Sequence, residues 1–268
     1  MAATRIADLD QSAPQIPVNK ITTRDLREVL REGLSDFSEK RGDLLLVAMI
    51  YPIVGIIAAI VSLGGSLLPL FFPIAAGIGL LGPLVAIGFY ELARRREAGL
   101  ESDWSHFLDV RKRPSWDSIG IVSGLLLTIF AAWIITAAVL YGMLIGEAPA
   151  SVGDFLRRLF VTSEGWALIV LGNLAGAFYA VLVLKVSVVS LPMLVDRDVS
   201  ARIAVDTSVR AVRANMGVMI RWGLIVASLL VLGSIPAFIG LAFVLPWLGY
   251  ATWHLYTRLV DRSALPGS

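Results

Sequence analysis

The chain contains no cysteine and only two histidines among its 268 residues. The lack of cysteine excludes disulfides, thiolate metal sites and cysteine nucleophiles. Charged residues are also scarce, at 16%, whereas soluble proteins carry about 25%. A net charge of only +2 gives no indication of a nucleic-acid partner. The chain instead has 57% hydrophobic residues, and most of them lie in long apolar runs.

Six apolar runs dominate the sequence, and a run of about 20 residues suffices to cross the hydrocarbon of a bilayer. The predicted spans are 44–63, 67–92, 117–145, 165–195, 217–234 and 236–257. Each pair of spans follows a basic segment with helical periodicity, and these segments are 22–41, 102–113 and 199–215. We therefore expect an all-α fold: a polytopic membrane protein with six transmembrane helices as three hairpins, each preceded by a cytoplasmic amphipathic interfacial helix.

The distribution of basic residues predicts the orientation of the chain. Arginine and lysine cluster in the terminal tails and in the segments before each hairpin, whereas the opposite side has only Arg157 and Arg158. The positive-inside rule then places both termini in the cytoplasm. Residues 1–21 lack the apolar run of a secretory signal. We expect a disordered cytoplasmic tail there, a six-span membrane domain over 22–260 and a short cytoplasmic tail over 261–268.

Acidic residues followed by arginines end the second and fourth predicted spans. We hypothesise that they form ion pairs at the cytoplasmic rim, which either lock the helices or make a pocket for an anionic head group. In the third basic segment, an acid lies four residues from a base on each side, so that it can pair with either. The candidate lipid, partner or ion-pair residues are Glu91, Arg94, Arg95, Arg96, Asp196, Arg197, Arg202, Asp206 and Arg210. The basic segments themselves either dock lipids and partners or merely cap the bundle.

Polar residues inside the predicted spans are few, and Asn173, Lys185 and His254 are the candidates. An intramembrane charge is a functional hypothesis by default. Lys185 is predicted either to pair with Glu91 or to extend towards the interface. His254 lies among aromatic residues, which favours an aromatic belt at the cytoplasmic interface. It lacks a second ligand at a suitable spacing, so no metal or cofactor site is predicted.

Three motifs carry a resemblance to a known family. They are Gly82–Glu97, Val188–Asp198 and Leu245–Tyr256. Together they resemble the bacterial family called domain of unknown function 2189, predicted integral membrane proteins that are common in alphaproteobacteria. The resemblance covers about residues 25–260, and it implies six spans in an inner membrane and no established activity. In that family, the position of Tyr250 is often a histidine that would pair with His254.

Members of that family are sometimes mislabelled as cytochrome c oxidase subunit I. A haem–copper core needs about six histidine ligands on membrane helices. This chain has only His106 and His254, and His106 lies between predicted spans. The chain therefore has too few histidines to be the catalytic subunit that this label names.

No catalytic constellation is evident in the sequence. We find no phosphate-binding glycine loop, no serine–histidine–acid set and no pair of buried carboxylates. We therefore expect no catalytic residues and a non-catalytic accessory, scaffold or assembly protein, with a respiratory complex among its candidate partners. It would bind other membrane proteins and anionic lipids at the cytoplasmic face. The alternatives are a transporter or channel for a lipid or small solute, and a membrane enzyme acting on lipid.

Overall fold

The computed structural model describes residues 16–39, 56, 68–70, 73–74, 82–147, 149–236 and 238–265. These residues are helical and contain no β-strand, and one isolated antiparallel bridge joins Val18 to Val260. The α-helices are α1 (Thr23–Glu39), α2 (Gly82–Glu97), α3 (Trp116–Leu144), α4 (Val152–Val161), α5 (Ser163–Ser187), α6 (Ser190–Asp196), α7 (Ala201–Ala214), α8 (Met216–Ser234) and α9 (Leu241–Leu259). The predicted all-α class is confirmed for this part of the chain.

Three helical stretches among the described residues are long and apolar enough to cross a membrane. They are Trp116–Leu144, Ser163–Asp196 and Met216–Ser234, and they coincide with the third, fourth and fifth predicted spans. The first predicted span, apart from residue 56, and most of the second before Gly82 lie outside the described residues. The sixth predicted span corresponds to α9, which is not among the three stretches.

The buried core lies at one end of the helix bundle, which we call the packed end (residues 16–39, 86–126, 183–222 and 247–265). On α3, Ile119, Val122 and Leu126 are almost fully buried there. All of α6 is buried as well. In the rest of the bundle, the outer half (127–182 and 223–246), apolar side chains such as Leu174 are largely exposed.

Helix α1 packs its apolar face against protein. Leu26, Val29, Gly33 and Phe37 recur at helical spacing and are the buried residues of α1. A Cβ atom on Gly33 would lie 2.5 Å from the backbone nitrogen of Ala251, so the two helices are in close contact. The apolar face of this predicted interfacial helix thus covers α9 and is not available to lipid.

The basic segment 102–113 differs from its predicted helix. It forms two short 3₁₀ turns, Trp104–His106 and Asp109–Lys112. The ring of Phe107 projects onto α2 at Gly88, where a Cβ atom would lie 2.4 Å from the ring. The segment therefore packs on α2 through this ring, which also contacts Phe89, and not through the apolar face of a helix.

An interruption between α5 and α6 positions the rim residue Asp196. Pro192 has no N–H group, so the regular hydrogen-bond ladder cannot continue through this point. Three residues earlier, the N–H group of Val189 donates to the hydroxyl oxygen of Ser208 on α7, at 3.2 Å, and so also lies outside the helix ladder. The short α6 that follows ends at Asp196, at the centre of the packed end.

Candidate functional site: a buried charge cluster

Asp196 joins four segments of the packed end. Its carboxylate accepts hydrogen bonds from the Tyr256 hydroxyl at 2.8 Å and from Arg262 Nε at 2.9 Å. Its backbone carbonyl accepts from Arg113 Nη2 at 2.8 Å. The side chain is almost fully buried, so these donors replace the water that an ionised carboxylate needs. Asp196 therefore ties α6 to α9, to the turn after α9 and to the segment before α3.

Glu91 lies on α2 and is only 1% exposed. Arg94 binds both of its carboxylate oxygens, at 2.7 and 2.9 Å, in a bidentate pair within one helix. These hydrogen bonds raise the pKa of Arg94, although burial alone would lower it. Glu91 is thus paired with Arg94 and not with Lys185, the partner predicted for that lysine.

Arg262 connects Asp196 to a second acid. Its Nη1 donates to Glu97, and its guanidinium carbon lies 5.9 Å from the centre of the Trp253 ring. Trp253 Nε1 in turn donates to Glu97 at 2.9 Å. Burial would lower the pKa of Arg262, but the bonds to Glu97 and Asp196 outweigh it and raise that pKa.

Together these side chains form what we call the rim cluster, which is Glu91, Arg94, Glu97, Arg113, Asp196, Arg197 and Arg262. Four guanidinium groups face three carboxylates, so the ionised cluster has an excess of one positive charge. Arg113 is the member whose positive charge is least favoured, because burial and the nearby Arg94 lower its pKa. Its Nε atom is buried and has no hydrogen-bond partner among the described residues.

A second ionic group joins α1 to α9. Arg258 binds Glu28 at 3.1 Å and Glu32 at 2.6 Å. His254 Nε2 lies 2.8 Å from Asp36, which also pairs with Arg96 at 3.0 Å. His254 therefore belongs to a helix–helix contact. The predicted aromatic belt around it is wrong, because Trp253 and Tyr256 are buried in the core.

The remaining predicted rim residues lie in separate places. Arg95 binds the backbone carbonyl of Glu101 and lies 3.6 Å from Asp109. Asp206 pairs with Arg210 at 2.8 Å, one turn apart on α7. Arg210 also donates to the Ile16 carbonyl at 2.9 Å, which fastens the N-terminal segment. Arg202 is exposed at the start of the same helix.

The intramembrane candidates lie outside both ionic groups. Asn173 is exposed on α5, and its amide donates to the Ile169 carbonyl of its own helix at 2.7 Å. Lys185 is half-exposed, on the turn of α5 that precedes the interruption. No ion pair involves Lys185 within the part of the chain that the structure describes.

Sequence reasoning did not single out Glu97, Arg113, Tyr256 or Arg262 as site residues. It also missed Glu101, Asp103 and His106, whose possible metal-ligand atoms lie within 4.8 Å of one another. His106 Nδ1 lies 2.7 Å from Asp109 Oδ2. Hydrogen bonds from Lys112 and His106 lower the pKa of Asp109 to about 2. These groups are near the surface, and nothing beyond their proximity indicates a bound ion.

Comparison with known proteins finds a family match for the central part of the chain. The family model described as "Predicted integral membrane protein (DUF2189)" matches residues 71–196. This segment, a little under half of the chain, is similar to that family. The match contains the first of the three motifs and nearly all of the second, which confirms the resemblance, but it leaves 245–256 outside. The searches of curated proteins and of solved structures found no match. With its three long apolar helices, the chain is an integral membrane protein.

Proposed function

We propose that this protein is a non-catalytic scaffold or assembly protein of a bacterial inner membrane. Its packed end would face the cytoplasm and dock anionic lipids and a partner membrane protein. Three helical hairpins would enter the membrane from that side and leave both termini in the cytoplasm. The excess of basic residues on one side of the predicted spans supports this orientation.

The proposal depends chiefly on how the rim cluster uses its charges. Glu91 is bound by Arg94, and Asp196 by Tyr256 and Arg262, so the acids hold together segments that are far apart in the sequence. A catalytic acid or base must instead reach a substrate with its own polar atoms. Two buried acids, each held by an arginine, are better suited to a rigid platform.

The surface available for docking lies on the open side of α1. A shallow groove there is lined by Arg24, Arg27, Glu28, Arg31 and Glu32. Arg27 and Arg31 are exposed, and no ion pair involves either of them within the described residues. Juxtamembrane basic side chains attract anionic head groups by about 1 kcal/mol each. The transporter alternative has less support, because the amide of Asn173 is used by its own helix.

The first hairpin has support from a contact at the outer end of its second predicted span. Trp133 Nε1 on α3 donates to the carbonyl of Pro73 at 2.9 Å. This contact places a residue of the second predicted span beside the outer half of α3. It is the position expected if that span starts far from the packed end and returns to it along α2.

Gentle purification from native membranes tests the scaffold role. We expect one membrane protein to co-purify in constant ratio, together with phosphatidylglycerol or cardiolipin, detected by native mass spectrometry. The double variant Arg27→Glu/Arg31→Glu should lose most of the anionic lipid. Arg157→Glu, an exposed basic residue at the outer end, is the matched control and should keep it. Purification of the wild-type protein alone, without lipid or partner, would contradict the proposal.

A further inference from the structure

Helices α8 and α9 form a closely packed hairpin with an apolar tip. A Cβ atom on Gly240 would lie 2.7 Å from the backbone of Gly233, so the two helices touch directly at the turn between them. The side chains around this turn are exposed and apolar: Val231, Leu232, Ile235, Ile239 and Phe243. A tip of this composition favours hydrocarbon over water.

Helix α1 shows which part of α9 lies outside the hydrocarbon. The two helices run antiparallel, because Asp25 lies beside Arg258 whereas the Leu30 carbonyl accepts from Trp247 Nε1. The open face of α1 carries Arg27 and Arg31, which are exposed and take part in no ion pair within the described residues. Unpaired arginines facing lipid are strongly disfavoured inside a bilayer. The stretch of α9 from 247 to 259, which α1 covers, must therefore lie outside the hydrocarbon or at its edge.

The part of the hairpin that remains is too short to cross a bilayer. On α9, residues 241–246 extend about 9 Å at 1.5 Å per residue. On α8, residues 222–234 extend about 20 Å, and Arg221 before them donates to Thr23 of α1. The hydrocarbon is about 30 Å thick, and any tilt of the helices would reduce their reach further. By contrast, the 29 residues of α3 extend about 44 Å.

The contact between α8 and α5 indicates independently that the hairpin is too short to cross the bilayer. Gly223 of α8 faces Leu184 of α5, where a Cβ atom would lie 3.7 Å from the leucine side chain. From this level, α5 continues for about 21 residues, or about 32 Å, back to Ser163. Helix α8 continues for only about 11 residues, or about 17 Å, to Ser234. The hairpin therefore ends well short of the outer end of α5.

We propose that α8 and α9 form a re-entrant hairpin, which enters the bilayer from the packed end and turns back near its middle. Its partner is the hydrocarbon of a single leaflet. Lys185 and Arg221 lie one and two residues from the Leu184–Gly223 contact, so both cations mark the level where that leaflet begins. Lys185 can then reach the head groups and needs no buried partner. Because a re-entrant hairpin and a crossing hairpin both return to the same side, the positions of the termini are unchanged.

Spin labels on single cysteines test the depth of the hairpin, and the natural chain has no cysteine to remove. The test variant is Ile239→Cys in proteoliposomes, with Ile235→Cys as a second position at the same exposed tip. The measurement is the ratio of collisions with oxygen to collisions with a water-soluble nickel complex, which increases with depth. Leu174→Cys on α5 marks the bilayer interior, and Arg157→Cys on α4 marks the outer aqueous phase.

We expect both tip positions to give a ratio close to that of Leu174→Cys, with almost no nickel collisions. A crossing hairpin would place the tip at the outer surface. A ratio nearer to that of Arg157→Cys at either tip position would therefore overturn the proposal. This measurement does not depend on lipid or partner docking at α1. A failure of the re-entrant hairpin can therefore be distinguished from a failure of the proposed function.

Discussion

The packed end and the outer half of this molecule differ in what covers their side chains: protein at the packed end, and lipid in the outer half. At the packed end, Trp222, Trp253, Tyr250 and Tyr256 are almost fully buried, and the buried acids have arginine or tyrosine partners. In the outer half, α3 and α5 pair mainly with each other and leave side chains such as Phe178 and Met143 exposed. The first region resembles the interior of a water-soluble domain. The second needs lipid to cover it, so mutations should affect the two regions unequally.

The largest effect is expected at Asp196. Replacing Asp196 by Asn removes the negative charge that Arg262 and the Tyr256 hydroxyl bind, and it leaves Arg262 partly unpaired in a buried site. Breaking a buried pair in this way costs about 3 kcal/mol. Thermal unfolding in detergent should show a clear loss of stability. Asp206→Asn removes an exposed ion pair with Arg210 and should change stability by less than about 1 kcal/mol. Equal losses would show that the rim cluster is not structural.

The contact between α1 and α9 should be nearly as sensitive. Gly33→Leu places a side chain where even a Cβ atom would lie 2.5 Å from the Ala251 backbone. We expect α1 to be displaced, at a cost of about 2 kcal/mol, and to become accessible to protease. The control is Gly217→Leu on α8, where a Cβ atom meets nothing within 4 Å. It should be neutral or slightly stabilising; if it is as damaging as Gly33→Leu, the close contact is not the cause.

A polar contact in the outer half should matter much less. The Tyr179 hydroxyl lies 2.8 Å from the Thr136 hydroxyl, between α5 and α3. Hydrogen bonds between membrane helices contribute about 0.6 kcal/mol on average. Tyr179→Phe keeps the ring against Trp133, so its unfolding in a detergent titration should shift by about that amount. A loss as large as that of Asp196→Asn would remove the distinction between the two regions.

The smallest effect concerns acid pH at the surface turn before α3. The folded pKa of Asp109 is about 2, lowered by Lys112 and His106 from an ordinary value of 3.8. A lowered carboxyl pKa stabilises the turn above pH about 4, and this contribution is lost as pH falls towards 2. The protection of the amides of residues 103–113, measured relative to their intrinsic exchange rates at each pH, should therefore fall over that window. Lys112→Ala should reduce the pH dependence, and an unchanged profile in that variant would contradict the assignment.

Sequence reasoning was most successful where a pattern is local. The helical runs and the acid–arginine spacing of Glu91 and Arg94 could be recognised because they depend on neighbours within one helix. The partners of Asp196 could not be predicted, since Tyr256 and Arg262 approach it only after α9 folds against α6. The last predicted span stays a prediction for a related reason. Its apolar residues are as suitable for a protein core as for lipid, and only the contact with α1 distinguishes the two.

The most direct test of the whole account is the side of the membrane on which each end lies. Single cysteines at Arg27 of α1 and Arg157 of α4, both exposed, can be treated with a membrane-impermeant maleimide in intact cells whose outer membrane is permeabilised. We predict that Arg157→Cys reacts at once and that Arg27→Cys reacts only after the inner membrane is opened. Reaction of Arg27→Cys in intact cells, or equal reaction at both positions, would contradict a packed end that faces the cytoplasm across the membrane from α4.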